Sequence, residues 1–362
     1  MFEIEDQEII MDSTAFVIAF FVTILAIFCI NPLAHKLGLI DKPDKRKNHN
    51  GLIPLTGGLA IYSAVAISYL LVSPITADYI YLLVAAGLIV FFGAIDDKYD
   101  INFKYRLIIQ TFAILIVIYG AGIQITSFGD LFSLGEISLG YFSTPITVIA
   151  FLTIINAFNM IDGLDGLAGG LSLVTLVFVF IMTHTIIGDT NHLLIALLIG
   201  SLFAYLIFNL KFFPSGFPKI FLGDAGSNLL GFVLCAFLIK YTQDNNAVME
   251  PVLALWFVAV PLLDMVTTLF RRLKFGKSPF YPDQTHIHHI FISAGFTKLT
   301  SLLGILLLAG LFASIGWGLE MMGTPAWISF WLFIGLSCLY LVIVSRVWKL
   351  EKLDKVITES GV

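Results

Sequence analysis

The sequence predicts an all-α, polytopic integral membrane protein with about eleven transmembrane helices, its amino terminus outside and its carboxyl terminus in the cytoplasm. Three observations carry this expectation. Of the 362 residues, 58% are hydrophobic and only 12% charged, against about 25% charged in an ordinary soluble domain. Apolar runs of about 17 to 20 residues recur, the length that crosses a hydrocarbon core of about 30 Å at 1.5 Å per helical residue. Basic residues fall almost entirely in alternate loops, as residues retained on the cytoplasmic side do.

The apolar runs lie near residues 14–31, 55–73, 78–95, 107–125, 145–161, 168–187, 192–209, 227–243, 250–270, 302–319 and 326–345. If the first runs from outside to inside, the inward loops and the tail hold 19 of the 20 Lys and Arg residues, and the outward side holds only Lys240. The amino terminus carries Glu3, Glu5, Asp6, Glu8 and Asp12 without a basic residue. It lacks the positive n-region of a cleavable signal peptide, so it is expected to be retained. No repeat or low-complexity stretch divides the chain, and residues 1–362 read as one polytopic domain.

The net charge of −5 says little about partners, because acids and bases are segregated across the bilayer. No nucleic-acid surface is indicated. Cys29, Cys235 and Cys338 fit neither a disulfide framework nor a zinc site and read as packed thiols.

Five polar clusters interrupt this apolar chain, each beside a span end that would face the cytosol. The first runs from Asp41 to Asn50, with Lys47 and His49, and leads into Pro54-Leu55-Thr56-Gly57-Gly58. Its basic residues either fix topology alone or form an anion site; the glycine pair would let a substrate approach the amides that open the next helix. The second is Asp96-Asp97-Lys98-Tyr99-Asp100. Adjacent carboxylates at a membrane edge repel one another and need a cation or solvent, and hard oxygen ligands suit Mg²⁺. Asp100 reads as the bystander.

The third cluster, Asn156 to Gly170, places Asn159, Asp162 and Asp165 at i, i+3 and i+6, which on a continuous helix points them roughly one way. Its glycines imply close backbone approach. The fourth is Phe221-Leu222-Gly223-Asp224-Ala225-Gly226-Ser227-Asn228. There Asp224 is either an N-cap or part of a helix-start site for phosphate or a metal-bound anion; Asn209 is expected to face the same vestibule. The fifth is Pro282-Asp283-Gln284-Thr285-His286-Ile287-His288-His289, preceded by Arg271 and Arg272. Without a Cys or HExxH pattern the histidines read as hydrogen-bond donors to a sugar or pyrophosphate, with Arg271 or Arg272 as a clamp. Asp264, two turns before Arg271, reads as structural or substrate-orienting. His35, His184 and His192 have no such context.

Taken in order, DKPDKRKNH with IPLTGG, DDKYD, NAFNMIDGLDGLAGG, FLGDAGS and PDQTHIHH resemble the polyprenyl-phosphate N-acetylhexosamine 1-phosphate transferases, most closely bacterial members acting on undecaprenyl phosphate. The resemblance covers nearly the whole chain. One departure is Gln284, where family members usually carry a basic residue. The resemblance implies UDP-N-acetylglucosamine as donor, undecaprenyl phosphate as acceptor, Mg²⁺ or Mn²⁺ as cofactor, UMP as leaving product, a homodimer, and the first lipid-linked step of a surface polysaccharide. It implies metal ligation by Asp224, Asp162 and Asp97, with Asp96, Asp97, Asp162, Asp165, Asp224 and His286 catalytic. Lys47, His49, Asn159, Asn209, Arg271, Arg272, His288 and His289 would bind substrate. The competing reading is an ion-coupled secondary transporter, whose acids would sit near the midplane on broken helices; a third is a scaffold, which would tolerate carboxamides at Asp96, Asp97 and Asp162.

Overall fold

The computed structural model describes residues 2–41, 51–183, 190–212, 217–243, 247–276, 278 and 286–360. Among them lie thirteen α-helices and one two-residue antiparallel ladder, Ile40–Asp41 against Ile53–Pro54. The helices are α1 (Phe2–Leu37), α2 (Gly57–Val72), α3 (Ala77–Tyr99), α4 (Phe103–Ala121), α5 (Ser143–Ile161), α6 (Leu167–Thr183), α7 (Thr190–Asn209), α8 (Gly223–Gln243), α9 (Pro251–Phe257), α10 (Ala259–Lys274), α11 (Ile287–Ser293), α12 (Lys298–Met321) and α13 (Ala326–Ser360).

Every expected span overlaps a helix of the described residues, and the chain is a multi-pass membrane protein. Eight helices among the described residues are long and apolar enough to cross a bilayer, or nine if α9 and α10 form one span. Two of the expected spans, α2 and α6, are shorter apolar helices of 16 and 17 described residues, at the lower limit of what crosses a hydrocarbon core at 1.5 Å per residue. Cys29, Cys235 and Cys338 are free thiols.

The expected span at 250–270 is not straight. It breaks at Val258 into α9 and α10, bent by 77°. Pro261 stands in the first turn of α10 and has no amide hydrogen to give the carbonyl four residues back. That carbonyl, on Phe257, instead accepts a hydrogen bond from the buried Thr175 hydroxyl of α6 at 2.8 Å. A neighbouring helix thereby satisfies the group the proline leaves open.

Helix α8 occupies the centre and is buried along nearly its whole length, whereas α1 is mostly exposed. It packs on α2, α3, α5, α6 and α9. Small residues permit this closeness. A Cβ at Gly93 of α3 would stand 2.5 Å from the Cα of Ala225, and one at Gly231 of α8 would stand 2.7 Å from the Cα of Ile155 in α5. Gly58 of α2 abuts the backbone of Gly226. Three helices are thus fastened to α8, two of them at its first turn, where the acidic clusters meet.

Candidate active site

The start of α8 is held from two sides. Gly57 and Gly58 donate their amides to the carbonyls of Phe221 and Leu222 at 2.9 and 3.1 Å, and Phe221 donates back to Pro54 at 2.9 Å. This corrects the expectation for the glycine pair: its amides join two chain segments, and its missing side chains let α2 reach α8. The open amides of α8 are engaged too. Asp97, at the end of α3, accepts from the amide of Asp224 at 2.7 Å and from that of Ala225 at 3.2 Å. The negative group expected at this helix start is therefore the chain's own carboxylate, placed where helix ends favour anions.

Beside it Asp96 is buried, 4% exposed. One of its oxygens accepts from the Ile101 amide at 2.7 Å and the other from Arg106 Nη1 at 2.9 Å. The same Nη1 lies 3.7 Å from Asp224. Asp100 closes α3 in the left-handed conformation and donates its amide to the Asp96 carbonyl, and Asn102 caps α4. This tight turn returns Arg106 to the two carboxylates. In the sequence Arg106 counts only among the topology-setting charges, although its place one turn into the next helix is a usable signal.

The third cluster joins from α5. Asn159 Nδ2 donates to Asp224 Oδ1 at 2.7 Å and to Ser227 Oγ at 3.0 Å. Helix α5 ends at Ile161, where the expected span ends; Asp162 leaves helical dihedrals and Gly166 has φ +78°, so Asn159, Asp162 and Asp165 do not share a continuous helix. Asp162 and Asp165 come together through a turn instead of along one face. Burial, with the Asp224 and Asp165 carboxylates nearby, pushes the Asp162 carboxyl up to about 8. Lys219 Nζ pairs with Asp165 at 2.6 Å and lies 5.2 Å from the Phe221 ring centre. Lys219 is a second basic residue whose sequence position alone indicates only topology.

The histidines approach from the far side. Asp264 of α10, 2% exposed, accepts from the Ile287 amide at 2.7 Å and faces His286 Nδ1 at 2.7 Å. It anchors the motif, as expected of a structural acid. His288, 1% exposed, packs its imidazole against Gly163 in the Asp162 turn. Burial, then the neighbouring His289 and His286, lower its basicity to about 3, so it is neutral at physiological pH. Its two ring nitrogens have no hydrogen-bond partner among the described residues. His289 lies with its ring centre 4.1 Å from that of His288.

Of the other expected site residues, Lys47 and His49 lie outside the described residues, as do Pro282 to Thr285. Asn209, 2% exposed, donates Nδ2 to the Ile220 carbonyl at 2.9 Å; it braces the segment leading to Asp224. Arg271 donates to Thr268 Oγ1 at 3.2 Å and lies 5.4 Å from the Trp348 ring centre, while Arg272 is buried. The arrangement thus brings Asp96, Asp97, Asn159, Asp162, Asp165 and Asp224 to one end of the helical assembly, with His288 against their turn.

The donor set is carboxylate and amide oxygen, which suits a hard divalent cation. Asp224 is 34% exposed at its side chain, and Asp162 is disfavoured as an anion without a counter-charge. Among the described residues no three acidic, histidine or cysteine side chains are gathered as a metal cage.

Residues 79–242 match the family described as glycosyl transferase family 4. Over 348 residues the chain is 38% identical to the undecaprenyl-phosphate alpha-N-acetylglucosaminyl 1-phosphate transferase of Yersinia pestis, covering 95% of this chain and 94% of that protein. It is 38% identical over 345 residues to the protein of the same description from Escherichia coli (strain K12), with 95% and 94% covered. The Haemophilus influenzae counterpart is 36% identical over 341 residues, with 92% and 96% covered.

Proposed function

The chain belongs to glycosyl transferase family 4, and on that premise we propose that it transfers N-acetylglucosamine 1-phosphate from UDP-N-acetylglucosamine to undecaprenyl phosphate and releases UMP. The observation carrying this is the meeting of Asp97, Asn159 and Asp224, separated by 65 and 127 positions in the chain, within hydrogen-bond reach, in a protein colinear with transferases so described. An acceptor phosphate oxygen attacks the β-phosphorus, a new P–O bond forms, and the bond from the β-phosphorus to the bridging oxygen breaks as UMP departs. The acceptor needs no general base, because a phosphate monoester with a second pKa of about 6 is already largely dianionic at pH 7.

A divalent cation, Mg²⁺ or Mn²⁺, belongs to this reading; when bound it neutralises charge on the pyrophosphate. Asp224 and Asp162 hold it. Asn159 orients Asp224, Asp97 fixes the helix turn that carries it, and Lys219 restrains Asp165. Asp96 steadies Arg106, whose guanidinium faces the reacting phosphates. His289, with Lys47, His49 and Arg271, contacts the substrates, and the buried His286, His288 and Arg272 position that side of the site. The site faces the cytosol from the bacterial inner membrane, in keeping with the basic residues of the inward loops.

Purified protein should release UMP only when donor, lipid acceptor and divalent cation are all present, and a panel of nucleotide sugars should favour UDP-N-acetylglucosamine. Release without acceptor, or none at all, would overturn the reading. The transporter alternative gains no support, because the clustered acids sit at helix ends and the relatives are described as transferases.

A further inference from the structure

Between α3, α4 and the first turns of α8 lies a small cavity with about 20 Å³ of water-sized space, room for one ordered water. Ile89, Phe92 and Ile109 form part of its wall, while Asp96, Arg106, Gln110 and Asn228 supply polar groups. Two of these are buried amides with unused hydrogen-bonding capacity. Asn228, 6% exposed, stands one turn beyond Asp224 on α8, and its side chain makes no hydrogen bond among the described residues. Gln110, 5% exposed, stands one turn beyond Arg106 on α4. Its carbonyl oxygen receives only a long contact from Asn156 Nδ2 at 3.5 Å, and its NH₂ group meets no acceptor among the described residues. Amides buried in this way keep the cost of lost hydration unless a water replaces it, so polar cavities of this size fill where apolar ones stay dry. Arg106 has capacity to spare as well: of its five N–H donors, only those on Nη1 face a carboxylate.

We propose that this cavity binds an ordered water that joins Gln110 and Asn228 to Arg106, and that the two amides are positioning residues for the guanidinium. The water accepts from an Arg106 N–H and from the Gln110 NH₂ group, and donates to the Asn228 side-chain oxygen. Arg106 lies between carboxylates carried by different helices, 2.9 Å from Asp96 and 3.7 Å from Asp224, and these two attractions alone let it shift toward either. A support from the cavity side, fixed to α4 and α8 together, sets where the guanidinium stands. The proposal rests on the transferase reading, in which Arg106 faces the reacting phosphates, and adds two residues that act through it.

Two measurements test it. Asn228→Leu removes the polar partner at similar volume and should lower kcat for UMP release about tenfold, with donor and acceptor KM within about twofold. In an Arg106→Gln background the same substitution should cost less than about twofold, because the support then has nothing to hold. Asn228→Ser, which keeps a hydroxyl for the water, should recover most of the loss. An unchanged kcat in Asn228→Leu, equal losses in both backgrounds, or no recovery with serine overturns the proposal. Gln110→Leu repeats the comparison from α4, should the change on α8 prevent folding. Independently, brief X-ray radiolysis of the full-length protein in H₂¹⁸O, read by mass spectrometry, should place ¹⁸O on Phe92 or Ile109 beside the water, and Asn228→Leu or Gln110→Leu should remove that label. An unlabelled cavity in the wild type, or a label that neither variant reduces, also overturns it. If the wild type releases no UMP, the transferase reading fails, and the radiolytic label alone decides whether the water is bound.

Discussion

Asp97→Asn separates a positioning role from a chemical one. The carboxylate accepts two amides at 2.7 and 3.2 Å from the first turn of α8. Hydrogen bonds to a charged acceptor contribute about 1.5–3 kcal/mol each, and neutral ones about 0.5–1.5; an anion at a helix start adds about 0.3–1. Asparagine retains one neutral acceptor and turns an NH₂ toward the second amide. Like-charge repulsion from Asp224 is relieved at the same time, and solvent reaches this half-buried rim, so the net loss is roughly 2 kcal/mol of local anchoring. That corresponds to about thirtyfold more opening of the α8 start.

Hydrogen exchange followed by mass spectrometry on a peptide spanning 221–230 should show that acceleration. Turnover should fall about a hundredfold, as misplacement by about 1 Å of a group that holds a reacting centre does. Turnover lost with exchange unchanged would refute the argument and assign Asp97 direct contact with substrate. Turnover retained with faster exchange would show that Asp224 need not be held in this place.

The remaining expectations concern pH and packing. In the metal-free protein the Asp162 carboxyl, raised to about 8, is largely protonated at pH 7, so ion binding displaces a proton and affinity should rise about tenfold per pH unit from 6 to 8 before levelling. Titration calorimetry with Mn²⁺ checks this, and a flat profile would exclude Asp162 as a ligand. The same raised group favours the metal-free fold at low pH and lowers its stability as pH climbs from the ordinary carboxylate range toward 8; Asp162→Asn should remove that part of the slope in thermal melts. Gly163→Ala drives a methyl into the His288 ring and should reduce turnover, with the double variant Gly163→Ala/His288→Ala recovering melting temperature relative to the single; additive losses would break the proposed contact. Thr175→Val strands the Phe257 carbonyl and should cost about 1–3 kcal/mol, read as a lower melting temperature in detergent; an unchanged value would mean that the α9–α10 bend does not need this bond.

The helices were legible because apolar runs of span length have few other uses, and the acidic clusters because charge in such a chain demands a reason. What periodicity cannot convey is which distant group answers which. The amides at the start of α8 read as an open anion site until Asp97, 127 positions earlier, is seen to fill it. Arg106 and Lys219 looked like topology charges because their partners Asp96 and Asp165 are found only after the chain turns back. Pro261 lies inside an expected span, yet the sequence does not convey the 77° bend or that Thr175 of another helix satisfies the carbonyl it leaves open.

These arrangements divide the labour of the site. Asp97 and Asp224 stand on helices whose glycines let backbones touch, so their separation is set by packed main chain, which deforms little. The histidines are attached through Asp264 on the far side of the bend, by a carboxylate that holds one ring and one amide. The two parts meet where His288 packs on Gly163. Side-chain volume at residue 163 therefore governs how closely the histidines approach the carboxylates, and a site that must join a water-borne nucleotide sugar to a lipid phosphate has reason to set that distance by backbone contact.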